Sequence, residues 1–425
     1  VVWGFIAAVL AALLGSSYYM KETSERWDEE DLREDREVIG ILVFGYVLAG
    51  LAALWVVVVC CMRKRIVLAI ECIREASTAI SRMPVIVFYP VIQVAGLLAF
   101  LIVWGIIIVY LAASGEVVPQ CICPSTEGIT NYLDADDDGD NLTCDNGCFL
   151  FKSFDFSANT KYAGLYMLFI WFWTAQFVIA VGEIVTAMSI STWYFTREKS
   201  QIGNKTFFNS MVRTMTFHLG TAAFGSLIIA IVQTIRAIIV YVEKTAVKRE
   251  NSGLAKAVLK AIRCCLWCVE KCLKFINKNA YIQTAIFGYS FCKGARRAFT
   301  LLLRNVLRVT AVSVVCEFVL FVGKIFIVTI ATGCAYVYLD ENYSDQLNGL
   351  WLPTLLIAAI SYCTAEMFSE VIGMTVSTIL QCFITDEEMF QPDQRFARRS
   401  LAATIDKTQA ARALAPTIHP RKSKK

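Results

Sequence analysis

LYMLFIWFWTAQFVIAVGEIVTAMSISTWYF, running from Leu165 to Phe195, decides the fold class. Its 31 residues contain no base and a single acid, Glu183. As a helix the stretch is ~46 Å long against a hydrocarbon core of ~30 Å, so it crosses a bilayer with room for tilt. Trp173, Gln176, Ala180, Glu183 and Ala187 recur every three or four positions and share one face. An indole, an amide and a carboxyl on one stripe suit recognition of a cation. An ionisable group at membrane depth costs roughly 2.5–3.5 kcal/mol on insertion scales, so Glu183 is expected to face a partner or a wet cavity. The plainer reading is that Gln176 and Glu183 bond neighbouring helices.

Outward from that stretch the chain repeats the pattern. It has 425 residues, 57% of them hydrophobic, and a mean hydropathy of +0.56. This is the composition of an all-α polytopic transmembrane bundle. Apolar runs occupy Val1–Met20, Ile39–Met62, Val85–Ala113, Leu165–Phe195, Phe217–Tyr241, Thr310–Leu339 and Leu350–Ile384. Val1 already lies inside an apolar run, so the chain reads as a fragment.

Charge sits between the runs and sets their sidedness. Arg63-Lys64-Arg65 places the end of the second run in the cytoplasm, and IVLAIECIREAS beyond it reads as a short amphipathic helix on the inner surface. Residues 244–308 hold fourteen bases against two acids, a cytoplasmic or juxtamembrane segment. Seven crossings do not close the parity of sides. An eighth, the weakest, is expected between Leu273 and Cys292. Residues 1–384 are thus read as the transmembrane domain, and residues 385–425 as a cytoplasmic, disordered tail.

The loop 114–160 has nine acids, one base and four cysteines, Cys121, Cys123, Cys144 and Cys148. Outside the membrane these imply two disulfides, and closing the ends of the loop constrains more chain than a Cys144–Cys148 ring. Asn141-Leu-Thr143 and Asn342-Tyr-Ser344 are glycosylation sequons in loops placed outside, whereas Asn204-Lys-Thr206 lies in one placed inside. Asp134, Asp136, Asp138 and Asp145 follow the spacing of a calcium loop. The last ligand is Asp rather than Glu and amphipathic flanking helices are lacking, so a solvated acidic loop competes with weak structural calcium. No other cofactor is expected.

Several strings together resemble the choline transporter-like family. The most specific are CCLWCVEKCLKFINKNAYIQTAIFGYSFC (Cys264–Cys292) and ARRAFTLLLRNVLRV (Ala295–Val309). FGSLIIAIVQTIRAIIVYVE (Phe224–Glu243), RKRIVLAIECIREAS (Arg63–Ser77) with Tyr89-Pro90, and FWTAQFVIAVGEIV (Phe172–Val185) add to them. The matches run in family order from about residue 39 to 384. The resemblance implies ten spans with both ends cytoplasmic, of which this fragment lacks the first two and the large loop between them. It also implies sodium-independent uptake of choline, and for some members ethanolamine. The chain is expected in the plasma membrane, with internal membranes as the alternative.

Choline is a quaternary ammonium with no N–H to donate. A site for it needs aromatic faces within ~6 Å and a nearby carboxylate. Trp173, Gln176, Glu183, Trp104 and Glu317 are the candidate substrate-binding residues; Trp171, Tyr241, Glu366 and Glu370 add further material. Trp193, Tyr338 and Trp351 lie near span ends, where interfacial anchoring is the simpler reading. Glu317 and Lys324 are seven apart, two turns on one face, and offer mutual neutralisation through an intervening partner. Glu366 and Glu370 are read as proton-exchanging acids or, in preference, as protonated acids bridging helices. Cys60, Cys61, Cys264, Cys265, Cys268 and Cys272 read as reduced packing residues or reversible palmitoylation sites rather than a zinc site. There is no nucleotide-binding loop, no HExxH and no nucleophile elbow, and the chain has two histidines, so the reading is not an enzyme. Rival readings are transport of ethanolamine or a thiamine derivative, and a non-transporting protein that uses residues 244–308 to organise lipid or trafficking partners.

Overall fold

The computed structural model describes residues 2–29, 35–123, 131–134, 149–249, 253–343, 349–391 and 393–396. Helices dominate them: α1 (Val2–Glu29), α2 (Asp35–Arg82), α3 (Val85–Ala113), α4 (Ala158–Tyr194), α5 (Asn204–Arg213), α6 (Leu219–Arg249), α7 (Gly253–Phe287), α8 (Phe291–Arg304), α9 (Val306–Tyr343) and α10 (Trp351–Met389). Among the described residues six stretches are long and apolar enough to cross a membrane: Val38–Val57, Val85–Ala113, Ala158–Tyr194, Asn204–Lys244, Val306–Tyr343 and Trp351–Met389. These coincide with six of the expected crossings. The other two fall on α1 and on α7 with the start of α8, which are helical as well.

Three local features depart from the sequence reading. The short inner-surface helix after Arg65 is not separate: α2 runs unbroken for 48 residues from the span to Arg82. Neither Gly nor Pro interrupts the junction, and a basic cluster solvates a helix without ending it. A five-residue π-helical turn, Thr214–His218, joins α5 to α6. The loop 114–160 holds an antiparallel sheet of order β2-β1-β3, with β1 Glu116–Cys123, β2 Asn131–Asp134 and β3 Phe149–Asp155. Its register runs from Glu116↔Asp155 to Ile122↔Phe149 on one side and from Gln120↔Asp134 to Cys123↔Asn131 on the other. Val117, Val118 and the alternating FLFKSFD supply the branched and aromatic residues that strands favour.

The chain divides into two units. In the first (Val1–Phe88, Glu183–Arg213 and Ile282–Lys425), α1 and α2 form an antiparallel hairpin. Ser17 Oγ donates to Gly45 O at 2.9 Å and Ser24 Oγ to Val38 O at 3.1 Å, so both hydroxyls are satisfied inside an apolar contact. Helices α9 and α10 form a second hairpin, and α2 packs on both. Ala187, Ile282 and Met374 form a small buried cluster of the unit. Gly288 ends α7 at φ +69°, with its N–H bonded to Thr284 O at 2.7 Å, a left-handed position that favours glycine.

The second unit (Tyr89–Gly182 and Thr214–Tyr281) contains most of α3, the first part of α4, the sheet, α6 and most of α7. Here α3 and α4 approach closely. Gln93 Nε2 donates to Val178 O at 2.8 Å, and a Cβ on Gly182 would meet the Gln93 side chain and stand 2.8 Å from Tyr89 Cε1. Gly182 therefore lets α3 approach α4 closely.

The expected tail boundary at 385 moves. Asp386 is fully buried, α10 continues to Met389, and residues 393–396 fold back on the first unit.

Candidate functional site

Helix α4 positions the candidate substrate residues, and the structure sorts them into different surroundings. Trp173, Gln176 and Glu183 are all half-buried. Trp173 Nε1 donates to Ala223 O of α6 at 3.2 Å, and its ring meets Phe169 at 5.9 Å. The indole N–H is therefore spent on a backbone carbonyl, which fixes the ring plane and leaves its π face as the polar resource. Trp104 does not join it. Its Nε1 donates to Met167 O at 2.9 Å, and its ring packs on Trp171 at 5.4 Å, which in turn stacks on Phe100 at 6.2 Å. Trp171 and Trp173 are ~200° apart around the helix, so the two tryptophan sets lie on nearly opposite sides of α4. Trp173 and Gln176 belong to the second unit, Glu183 to the first.

The carboxylates on α9 and α10 also part from expectation. Lys324 pairs with Glu366 at 2.7 Å, so its partner lies across the helix hairpin, whereas Glu317 is exposed on α9. Seven residues place Glu317 and Lys324 on one face but ~10 Å apart along the axis, too far for direct contact. Glu366 bridges two helices as an ion pair, in place of the protonated acid preferred from sequence, and Glu370 is exposed. A second ion pair, Arg308–Glu387 at 2.6 Å, ties the other end of the same hairpin.

Trp193 is a further correction. It is fully buried, and Lys199 Nζ lies 4.5 Å from its ring centre, so it is no interfacial anchor. Lys199 also donates to Trp193 O and, at 2.7 Å, to Tyr194 O, binding the turn after α4 to the helix end. Tyr338 and Trp351 are exposed, as anchors would be.

A buried polar cluster in the first unit escaped the sequence reading. Gln283 Nε2 donates to Gln381 Oε1 at 2.8 Å, and Thr284, Thr375 and Thr378 are fully buried. Gln283 Oε1 and Thr284 Oγ1 have no hydrogen-bond partner among the described residues. Such orphaned acceptors are costly in an apolar interior and suit a hydroxyl or ammonium donor. The signal was present as Thr375, Thr378, Gln381 and Thr385, a polar stripe at helical spacing on α10.

In the second unit, Glu270 of α7 gathers three donors. It lies 2.5 Å from Arg236 Nη1 and 2.9 Å from Lys274 Nζ, and accepts from Gln233 Nε2 at 2.9 Å. Burial alone would raise its pKa. The hydrogen bonds from Gln233 and Lys274 and the two positive charges outweigh it and hold the carboxyl below its usual range. On α2, burial pushes the Cys72 thiol up to about 12, which makes it an inert packing cysteine.

In the loop 114–160, Cys121 and Cys123 lie on β1, and Asp134 closes β2 opposite Gln120. Cys144, Cys148, Asn141, Asp136, Asp138 and Asp145 lie outside the described residues. Among the described residues no three His, Cys, Asp or Glu are grouped to hold a metal. Asn342 is exposed at the end of α9, with its Nδ2 on Tyr338 O at 2.8 Å.

Residues 46–388 match the family model described as plasma-membrane choline transporter. The chain is 33% identical over 362 residues to choline transporter-like protein 2 of Homo sapiens, covering 82% of this chain and 51% of that protein. It is 32% identical over 355 residues to the protein of the same name in Dictyostelium discoideum, covering 84% and 52%, and 33% identical over 364 residues to that of Danio rerio, covering 82% and 52%. The chain thus spans about half the length of the curated relatives it matches.

Proposed function

Because this chain belongs to the choline transporter-like family, we propose that it is a multi-pass membrane transporter that moves choline or a closely related small organic cation, without sodium, at the plasma membrane. The observation that carries this reading is α4. It is a membrane-length helix whose one acid, Glu183, shares a stripe with Gln176 and with an indole whose orientation is fixed by Ala223 O. A quaternary ammonium needs aromatic faces and a carboxylate without a demand for N–H acceptors, and this stripe offers both. The orphaned acceptors Gln283 Oε1 and Thr284 Oγ1 are a second polar resource, suited to a substrate hydroxyl. Glu183 is the group assigned to any proton coupling. Ethanolamine and a thiamine derivative are the competing substrates within transport.

The test is uptake of radiolabelled choline into vesicles holding the full-length protein. Saturable uptake, competed by hemicholinium-like cations and unchanged when potassium replaces sodium, supports the proposal. Vesicles that stay impermeable to choline, ethanolamine and thiamine alike overturn it in favour of a lipid- or partner-organising role, for which the exposed basic face of α7 is the supporting observation.

A further inference from the structure

Helix α7 carries four cysteines in nine residues, Cys264, Cys265, Cys268 and Cys272, and all four are free and exposed. Packing therefore does not account for them. At about 100° per residue they occupy an arc of ~100° on one side of the helix. One edge of that arc meets exposed apolar side chains, Val258, Ile262 and Val269. The other meets the bases Lys260, Lys271, Lys274 and Lys278, with Lys271 Nζ 5.8 Å from the ring centre of Trp267. The remaining face is taken by α6, which receives Glu270 through Gln233 and Arg236 and offers Gly225 O to Asn277 Nδ2 at 2.7 Å. So α7 is held by α6 at one face, the apolar and basic arcs flank that face on its two sides, and the thiols lie opposite it, along the seam between the two arcs. The pairs Glu243–Arg263, Gln233–Glu270 and Gly225–Asn277 run α7 antiparallel beside the stretch Asn204–Lys244, so the thiols lie level with the Lys244 end of that span, the depth where headgroups give way to acyl chains.

We propose that Cys264, Cys265, Cys268 and Cys272 form an S-acylation site that takes long-chain fatty acyl groups from a cytoplasmic acyl thioester. In each transfer the cysteine Sγ bonds to the acyl carbonyl carbon and the carbon–sulfur bond of the donor thioester breaks. The thiol proton passes to the departing thiolate, and no electron is exchanged. The basic bias of residues 244–308 places α7 on the cytoplasmic side, where such donors are found. Cys264, Cys268 and Cys272 follow one another at about 6 Å steps along the axis, room for several chains side by side. Two or more chains anchor where one binds only reversibly. The modification fastens the exposed part of α7 to the inner leaflet, independently of what the transporter carries.

The test is metabolic labelling of cells expressing the full-length protein with an alkyne-tagged palmitate analogue, read with and without hydroxylamine. Hydroxylamine-sensitive label that falls at least fivefold when the four residues are changed together to serine, but not in a Cys60→Ser control of equal abundance, supports the proposal. A smaller fall, or no hydroxylamine-sensitive label in the unaltered protein, overturns it. So does protection of the four thiols from maleimide that a chelator rather than hydroxylamine removes, which would assign a bound metal. Because a poorly folded serine variant would also lose label, the reading is repeated with Cys264→Ala/Cys268→Ala/Cys272→Ala. That variant keeps one thiol and is expected to retain between a tenth and a half of the label.

Discussion

Lys324 Nζ stands 2.7 Å from Glu366 Oε2, joining α9 to α10 across 42 residues of chain. Both groups come from spans, so each would otherwise carry an unpaired charge at membrane depth. Removing one partner should therefore cost more than removing both. The carboxylate is 42% exposed, so partial hydration limits the loss for Glu366→Gln to about 1–2 kcal/mol, below the cost for a fully buried pair. Thermal melting in detergent checks the order: Lys324→Met with Glu366→Met should melt above either single variant.

Under the proposed function, Trp173 and Glu183 are the positions to test for cation recognition. Trp173→Leu should raise the half-saturating choline concentration about tenfold, equivalent to ~1.4 kcal/mol. Glu183→Gln keeps shape and should lower uptake more than surface abundance, measured side by side. Unchanged kinetics in both, at normal abundance, would leave α4 a packing helix.

Gly182 marks the close contact of α3 with α4. A methyl there would press on Gln93 and on Tyr89 Cε1 at 2.8 Å, so Gly182→Ala should destabilise by about 1–3 kcal/mol. Gly164, on the same helix, has nothing within 4 Å of an added Cβ. Gly164→Ala should be neutral or slightly stabilising, and the pair of melting curves separates crowding from helix propensity.

Glu270 predicts an acid-side loss of stability. Its folded pKa lies below the ordinary value of about 4.5, so its contribution is complete above that value and disappears as pH falls through the folded one. Unfolding of the intact protein should become easier with acid in this window, and Glu270→Gln should flatten that dependence. At neutral pH the same change leaves Arg236 and Lys274 without their counter-charge, costing about 1–3 kcal/mol. A pH dependence identical in the variant would assign the acid sensitivity elsewhere.

Asp386 holds the chain after α10 in place. Its carboxylate accepts from Tyr194 OH at 3.1 Å and from the Phe396 N–H at 3.0 Å, and Arg197 lies 4.5 Å from the Phe396 ring centre. Tyr194→Phe removes one hydrogen bond and should cost about 1 kcal/mol, while Asp386→Ala strands several donors and should cost about 2–4 kcal/mol. Limited proteolysis should cut near residue 396 faster in both variants, and faster in Asp386→Ala. Equal cutting rates in all three proteins would contradict the role assigned to Asp386.

What the sequence determined by itself is local and periodic. Runs such as Val85–Ala113 and Leu165–Phe195 are helical and membrane-crossing because their length and apolarity admit little else, and the face shared by Trp173, Gln176 and Glu183 follows from 3.6 residues per turn. The family strings carried the likeness that the comparisons bear out. Only the tertiary structure decided partners. Lys324 chose Glu366 over Glu317, Trp104 went to Trp171 rather than Trp173, Trp193 left the interface for the interior, and Gln283 met Gln381 across 98 positions. The reason is physical. Helical period fixes which residues share a face, but which face meets which is set by packing of helices far apart in the chain, where close contact and satisfied polar groups select one arrangement.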